Sequence, residues 1–387
     1  MQLTEKQKSE GWRIVKFGDV AQEVKGSTKD PLGEGIERYI GLEHIDPESL
    51  KLARYGLIAE DNPTFTKKFS AGDILFGRRR AYLKKAAVAD FDGICSGDII
   101  VIAPKEKALL PDLLPFIVQS EPFFDWAVKH SAGGLSPRTK FKSLAEFEFP
   151  LPSRPRQEEM LQSLKLIDSA LKNCDEALTA AGLLKTVLIS DKKSSHYING
   201  QLSDLMRIKS GFAFKSKQFT KDGMPILRIS NIGVNRSVDL NDAVYYQPQS
   251  NLDRYLVSKG DVMIAMSGAT TGKSGRLEEG TAYLNQRVGM VEVKNDASLS
   301  YLYHLLGTQS VIRELLVDAV GGAQPNVSPR NIERSSATYA PINEQEKIAS
   351  NLDEIQDIER TIQAKIQDLV KLKSKYIQES NNIEEAA

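Results

Sequence analysis

Cysteine is nearly missing from this chain. Only Cys95 and Cys174 occur in 387 residues, and they form no metal-ligand or redox spacing, so a reducing compartment fits and a cytoplasmic location is the expectation. Histidine is almost as scarce: His44, His130, His196 and His304 are scattered without a spacing that builds a metal site. No apolar run approaches the roughly 20 residues that cross a bilayer, and the N-terminal MQLTEKQKSEGW is too polar for a signal peptide. No membrane partner is expected. A charge of one sign is lacking too. Lys plus Arg and Asp plus Glu number 51 each, so any nucleic-acid surface must be a local basic patch. What is present is the composition of an ordinary globular protein, 41% hydrophobic and 26% charged, long enough for two or three domains.

Internal symmetry is the most informative feature. GDILFGRRRAYLKK starts at Gly72, and GDVMIAMSGATTGK starts at Gly260. The offset between those two starts recurs at Gly133-Gly134 against Gly321-Gly322, and at Gln157-Glu158 against Gln345-Glu346. YIGLEHI from Tyr39 and PILRISNI from Pro225 align with one residue of slippage, which a loop absorbs. The period is too long for a solenoid, so each copy should be a domain. Within each copy, short β-like runs (GDILFG, AAVADF and GDIIVIA; PILRI, GDVMIAM and RVGMVEV) are interrupted by helical patches, LPDLLPFIVQSEPFFDWAVKH and SLSYLYHLLGTQSVIRELLVDAV. That mixture predicts an α+β globule.

Each copy then meets a proline-marked boundary and a long helix. Met160, Leu164, Ile167, Leu171, Cys174, Leu178 and Ala181 recur at alternating steps of three and four. Ile348, Leu352, Ile355, Ile362, Ile366, Leu369 and Tyr376 do nearly the same, with Glu359 and Lys373 as weaker seam positions. This is a coiled-coil stripe, giving helices on the order of 50 Å long. Ser153 ahead of Pro155 marks the first helix start, and Asn343 with Glu346 predicts a capping box at the second. Each stripe needs a partner: the other copy's helix, or its own globule.

SGATTGKSG, Ser267 to Gly275, has the look of a phosphate-binding loop, but the spacing excludes it. Only three residues separate Gly268 from Gly272, where a P-loop needs four before its Gly-Lys pair, and the following GRLEEGTAYLNQRVGMVEV predicts a strand instead of a helix. The run reads as a hairpin tip. Its counterpart carries Arg78, Arg79, Arg80, Tyr82, Lys84 and Lys85, with Lys85 falling on Lys273. Arginine offers a two-pronged donor to guanine or phosphate, and small residues let backbone approach a groove. The candidate DNA-contacting set therefore takes those six residues with Ser267, Thr270, Thr271, Lys273 and Arg276. It adds Gly133, Gly134 and Arg138 from GGLSPRTKFK, and Gly321, Gly322, Gln324 and Asn326 from GGAQPNVSPRN. Paired glycines there could present backbone N–H groups to phosphate. Arg228, Ser230 and Asn231, with His44 in the other copy, sit on the repeated strand segment, where Asn231 has the chemistry for adenine.

The run FPLPSRPRQEEM (Phe149 to Met160), with YAPINEQEKIASNLDEI (Tyr339 to Ile355) and GDVMIAMSGATTGKSG (Gly260 to Gly275), resembles the specificity subunits of type I restriction–modification systems across almost the whole chain. Arg156-Gln157-Glu158 departs from the usual Glu-Gln, and RRRAYLKK departs from the SGAT-type tip. The resemblance implies a tandem duplication of an α+β target recognition domain and long helix. The helices would pair as an antiparallel coiled coil in a pseudo-twofold arrangement. On that pattern residues 1–152 form the first recognition domain, 153–192 the first spacer helix, 193–341 the second recognition domain, 342–380 the second helix and 381–387 a frayed tail. It further implies that each domain reads one half of a split, asymmetric double-stranded DNA site while the helices measure the gap. The helices would also dock two methyltransferase subunits, which bind S-adenosylmethionine, and through them restriction subunits that use ATP and Mg. The chain itself would do no chemistry and carry no cofactor. Its residues agree: Asn62-Pro63-Thr64-Phe65 lacks the second proline of an adenine-methylating tetrad, and no glycine-rich cofactor fingerprint opens a helix. Two alternatives stay open at this point, a subunit serving a fused methyltransferase–nuclease and a protein scaffold that never touches DNA.

Overall fold

The computed structural model describes residues 3–105, 109–189, 196–233, 235–317 and 326–379. The expected frayed tail, and Gly321, Gly322 and Gln324 of the candidate set, lie outside the described residues. The chain divides into two units, residues 1–173 with 365–387, and residues 174–364.

In the first unit an antiparallel sheet runs Ala21–Glu23, Ile99–Pro104, Ile74–Gly77, Ala86–Val88. A second sheet runs Gly56–Leu57, Arg38–Ile40, Gly93–Cys95, Lys67–Phe69, with Arg38–Ile40 parallel to Gly93–Cys95. The apolar runs expected as strands supply the two central strands of the first sheet, Ile74–Gly77 and Ile99–Pro104, and both are largely buried. The helical patch at 110–130 resolves into short helices, Leu114–Val118 and Glu121–Lys129, broken where Ser120 and Pro122 start the second. Phe76, Phe123, Phe124, Phe147 and Phe149 interlock beneath them, Phe76 stacking on Phe124 at 5.5 Å. Burial of each such ring is worth roughly 2–3 kcal/mol.

The second unit repeats this plan. A five-stranded sheet runs Met206–Ser210, Val288–Val293, Val262–Ala265, Ser274–Leu277, Ser237–Val238, and a four-stranded one runs Val244–Tyr246, Met224–Leu227, Thr281–Leu284, Leu256–Ser258. Its helical patch splits into Leu299–Leu305 and Gln309–Val317 around Gly307. Both units carry a two-stranded antiparallel ribbon, Arg13–Lys16 with Glu148–Leu151 and Ile198–Gln201 with Ser336–Tyr339, leading straight into a long helix.

The long helices span Arg154–Ile189 and Ile342–Glu379, and the boundary between units falls inside both. In the first unit Met160, Leu164 and Ile167 are buried, and Tyr376 and Ile377 pack on the same core. Lys373 pairs with Asp168 at 2.7 Å and lies over the Phe116 ring, while Ile377 lies beside Met160 and Leu164, so the helices run antiparallel there. In the second unit Lys185 meets Glu359 at 2.8 Å, and Ile189 shares a core with Ala349 and Leu352, again antiparallel. Glu359 and Lys373, polar interruptions of the stripe, are thus half-buried partners of ionic groups on the facing helix. Both sequence alternatives for the stripes hold together: each helix meets the other and also covers a globule.

The expected capping box is not formed. The second helix already begins at Ile342, which puts Asn343 inside the first turn. The polar side chain that turns back is Gln345, whose Nε2 donates to the Ala340 carbonyl at 3.0 Å while its Oε1 accepts from Ser298 N–H. Gln157, its counterpart in the first copy, does the same, donating to the Pro152 carbonyl and accepting from Leu110 N–H. The glutamine of each repeated Gln-Glu pair is a buried joint between ribbon, helix and the preceding loop.

Candidate nucleic-acid interface

Both basic or small-residue runs are hairpin tips, as their sequence predicts. RRRAYLKK links Ile74–Gly77 to Ala86–Val88, and SGATTGKS links Val262–Ala265 to Ser274–Leu277; the latter strand leaves no helix N-terminus to face a phosphate, which disposes of the P-loop. The two tips share left-handed backbone at two equivalent positions. Arg80 and Lys84 have φ of 54° and 50°, and their counterparts in the second copy, Gly268 and Gly272, have 79° and 81°. Glycine takes this left-handed region freely, whereas a side chain there costs on the order of 1–2 kcal/mol.

Each tip is sewn to the loop that follows the paired-glycine position. In the first unit Arg79 bridges to Arg138, Thr139 N–H donates to the Arg78 carbonyl at 3.0 Å, and Arg80 N–H donates to the Pro137 carbonyl. In the second, Ser267 bridges to Asn326 and Val327 N–H donates to the Met266 carbonyl at 2.8 Å. Both ends of these pairs occupy equivalent places in the sequence repeat. A third strand closes each arrangement, because Arg78 N–H donates to the Asp98 carbonyl and Met266 N–H to the Arg287 carbonyl, both at 2.9 Å. One scaffold therefore presents two different side-chain sets: Arg79, Asp98 and Arg138 in the first unit, Ser267, Arg287 and Asn326 in the second.

The electrostatics differ accordingly. Asp98 takes Arg138 through Nε at 2.6 Å and Nη2 at 3.2 Å, and Arg79 at 3.5 Å. The Arg138 guanidinium holds the Asp98 carboxyl below the usual range. Arg79 and Arg80 also reach Ser136 Oγ. In the second unit a cleft of about 540 Å³ is lined by Ser210, Ser267, Gln286, Arg287, Asn326 and Ser328 among others. Among the described residues, the exposed Arg287 side chain has no ionic partner. Five buried side-chain polar atoms lack a hydrogen-bond partner among the described residues, and four lie at or against these loops: Thr139 Oγ1, Arg228 Nε, Ser267 Oγ and Thr270 Oγ1. A buried polar group without a partner is costly, and the three in the second unit leave hydrogen-bonding capacity unused at one place. The turn Ile229–Asn231 brings Arg228 and Ser230 to this place by packing on Gly268–Thr270.

The model of the type I restriction modification DNA specificity domain matches residues 9–178 and again 196–371. The chain belongs to this family. It is 24% identical over 388 aligned residues to the type I restriction enzyme MjaVIII specificity subunit of Methanocaldococcus jannaschii, covering 90% of this chain and 87% of that protein. It is 28% identical to the EcoDI specificity subunit of Escherichia coli over 46% of this chain and 40% of that protein. Among solved structures, the type I restriction–modification S subunit of M. genitalium superposes with a TM-score of 0.62 at 15% identity, covering 99% of this chain and 98% of that one. A structure from work on type I complex assembly and conformational transition gives 0.55 at 18% identity, with 98% of each chain covered. The tandem mixed α/β architecture with long helices is that of these neighbours.

Not every expected contact residue of this specificity protein faces outward. Asn231 is buried: its Oδ1 accepts from Arg228 N–H at 2.9 Å and its Nδ2 donates to the Asp239 carbonyl, which leaves no edge for adenine. His44 makes the equivalent cap, its Nδ1 accepting from Gly41 N–H. Thr271 is buried with its hydroxyl on the Gly268 carbonyl. Lys85 donates to the Leu42 carbonyl, Arg78 to the Thr139 carbonyl, and Lys84 pairs with Glu48 and Glu121. Arg276 turns to the helix, pairing with Asp353 at 3.4 Å and donating to Ser300 Oγ. These seven were selected by composition, which does not report which polar groups find an internal partner. Arg79, Arg80, Tyr82, Arg138, Ser230, Lys273 and Asn326 stay wholly or partly accessible, as do Gly133, at φ 116°, and Gly134. Sequence reasoning missed Asp98, Ser136, Gln286 and Arg287; applying the repeat offset to position 98 leads to Gln286, next to Arg287.

Arg80→Gly is expected to stabilise the first unit by about 0.5–1 kcal/mol, since it removes a strained left-handed side chain, while lowering DNA affinity. Paired denaturation and DNA-binding titrations of the same variant check this; a destabilised variant would mean that the tip conformation is set by the Arg80 side chain.

Proposed function

We propose that the protein is the DNA-recognition component of a type I restriction–modification enzyme, reading a split asymmetric duplex site with one head per unit. The carrying observation is the pair of equivalent loop assemblies, alike in backbone and different in side chains: one fold, two specificities. The family's specificity subunits are non-catalytic, and neither the fused-enzyme nor the scaffold alternative is favoured by the family match. The recognition set we assign is Arg79, Arg80, Tyr82, Arg138, Gly133 and Gly134 in the first head. In the second it is Ser230, Ser267, Thr270, Lys273, Arg287 and Asn326, with Gly321, Gly322 and Gln324 adjoining in sequence. The domain limits follow the sequence pattern, globules over 1–152 and 193–341 and spacer helices over 153–192 and 342–380. Methyltransferase subunits, two of them, bind along the helices and carry S-adenosylmethionine; restriction subunits supply ATP- and Mg-dependent chemistry; the assembly works in the cytoplasm.

The test is selection from a random duplex pool by the full-length chain expressed with its own methyltransferase subunit, at near-physiological salt. Two short fixed blocks around a fixed gap are expected, and affinity should fall steeply with salt through counterion release. Recovery of no motif, with binding absent or indifferent to sequence, would overturn the reading and leave a protein scaffold.

A further inference from the structure

We propose that Arg138 and Asn326 are the equivalent base-reading residues of the two heads, Arg138 selecting guanine and Asn326 adenine, with Asp98 as the positioning residue that aims Arg138. This rests on reading the loops as DNA-recognition heads and assigns the bases within them.

A guanidinium has a side edge, Nε with Nη2, and a forward edge, Nη1 with Nη2. Asp98 occupies the side edge of Arg138 with both oxygens, at 2.6 and 3.2 Å. That leaves the forward fork unspent, two parallel donors matching the O6 and N7 acceptors of guanine in the major groove. The backbone beneath is equally fixed, because Arg138 exchanges both hydrogen bonds with Ala132, at 2.9 and 3.0 Å, and bridges to Arg79. Asp98 is anchored in turn, its carbonyl accepting from Arg78 N–H. An arginine held at backbone and side edge has little rotamer freedom left to lose on binding. A flexible phosphate clamp needs no such buttress.

The second unit has Asn326 at the same bridge position, opposite Ser267. Its exposed amide offers one acceptor and one donor, the complement of adenine N6 and N7. The acidic buttress is gone, and Arg287 stands at the backbone position of Asp98. The charge reversal fits: a carboxylate serves an arginine and has no use beside an asparagine.

The experiment is the random-duplex selection repeated with Arg138→Asn, Arg138→Lys, Asp98→Asn and Asn326→Arg in the full-length complex. Arg138→Asn should exchange a fixed guanine for adenine in one block, with enrichment of the original base falling about tenfold, and leave the other block untouched. Asn326→Arg should make the mirror change in the other block. Arg138→Lys should keep duplex binding but lose the guanine preference about tenfold, and Asp98→Asn should broaden the same position only. If Arg138→Lys retained full preference, Arg138 would be a phosphate contact and the assignment would fail. If both blocks survived Arg138→Asn and Asn326→Arg unchanged, the assignment would fail while the two-head reading stood. Absence of any block with the native chain would sink that underlying reading instead. Should Arg138→Asn not fold, Asn326→Arg decides alone.

Discussion

Gln345→Leu is expected to destabilise the second unit by about 3 kcal/mol. Leucine nearly preserves the volume at a fully buried position, so packing is retained and the loss isolates two hydrogen bonds. Ser298 N–H and the buried Ala340 carbonyl each lose their partner, and an orphaned backbone group costs about 1–3 kcal/mol. Gln157→Leu should do the same to the first unit through Leu110 and Pro152. The neighbouring Glu346 is exposed, and Glu346→Ala should stay within about 0.5 kcal/mol. The chain offers a built-in reporter, because both tryptophans, Trp12 and Trp126, belong to the first unit. In urea titrations Gln157→Leu should shift the fluorescence transition. Gln345→Leu should shift the circular dichroism transition and leave the fluorescence one in place. Equal effects from Gln345→Leu and Glu346→Ala would refute the joint.

Asp353→Ala should cost about 2 kcal/mol, less than the loss of one member of a fully buried pair because the carboxylate is 37% exposed. Asp353 gathers Ser300 Oγ, His304 Nε2 at 2.8 Å and Arg276, while the Arg276 and Arg236 guanidiniums lie over the Tyr303 ring at 4.2 and 4.1 Å. Burial pushes His304 down to about 4, against the opposing pull of Asp353. His304 is thus neutral at pH 7, and its contact is a hydrogen bond donated to a carboxylate, the ion pair belonging to Arg276. Unfolded histidine takes up a proton near pH 6.5 while the folded one does not, so stability is complete above that pH and falls as pH drops toward 4. Without Asp353 nothing pulls the pKa back up, and the decline should continue to lower pH. Denaturation midpoints from pH 7 to pH 4 test this; a flat native profile would contradict it. In the first unit the corresponding places hold Asp112, Phe116 and Lys165, with Lys165 and Asp112 paired at 2.6 Å. The Asp353 network is therefore peculiar to the second unit.

Duplication, strands, long helices and their seam were legible because each rests on local periodicity or on a fixed offset, and those signals survive without knowledge of contacts. The hairpin tips were legible for the same reason. What stayed hidden depends on where side chains go once the chain closes. Asn231 carries adenine-compatible chemistry but spends it on a cap. Arg276 and Lys84 count as cations in the sequence yet are consumed by Asp353 and by Glu48 and Glu121, from distant segments. Asn343 and Glu346 satisfy a capping pattern, but Gln345 between them takes the buried position and sets the helix start. Asp98 and Arg287 were missed since an isolated acidic or basic residue in a loop signals nothing until a neighbouring strand brings it to the tip. The left-handed Arg80 and Lys84 could be inferred only by aligning them with Gly268 and Gly272.

The division of the long helices between units has a consequence in time. Lys373, Tyr376 and Ile377 complete the core of the unit whose other residues end at Asn173. During synthesis that unit stands without its last helical segment until residues 365–377 have left the ribosome, whereas the second unit has all of its residues by Ala364. The order of completion is thus the reverse of the order in which the two globules are translated, and the first globule waits on turns of helix made after the second.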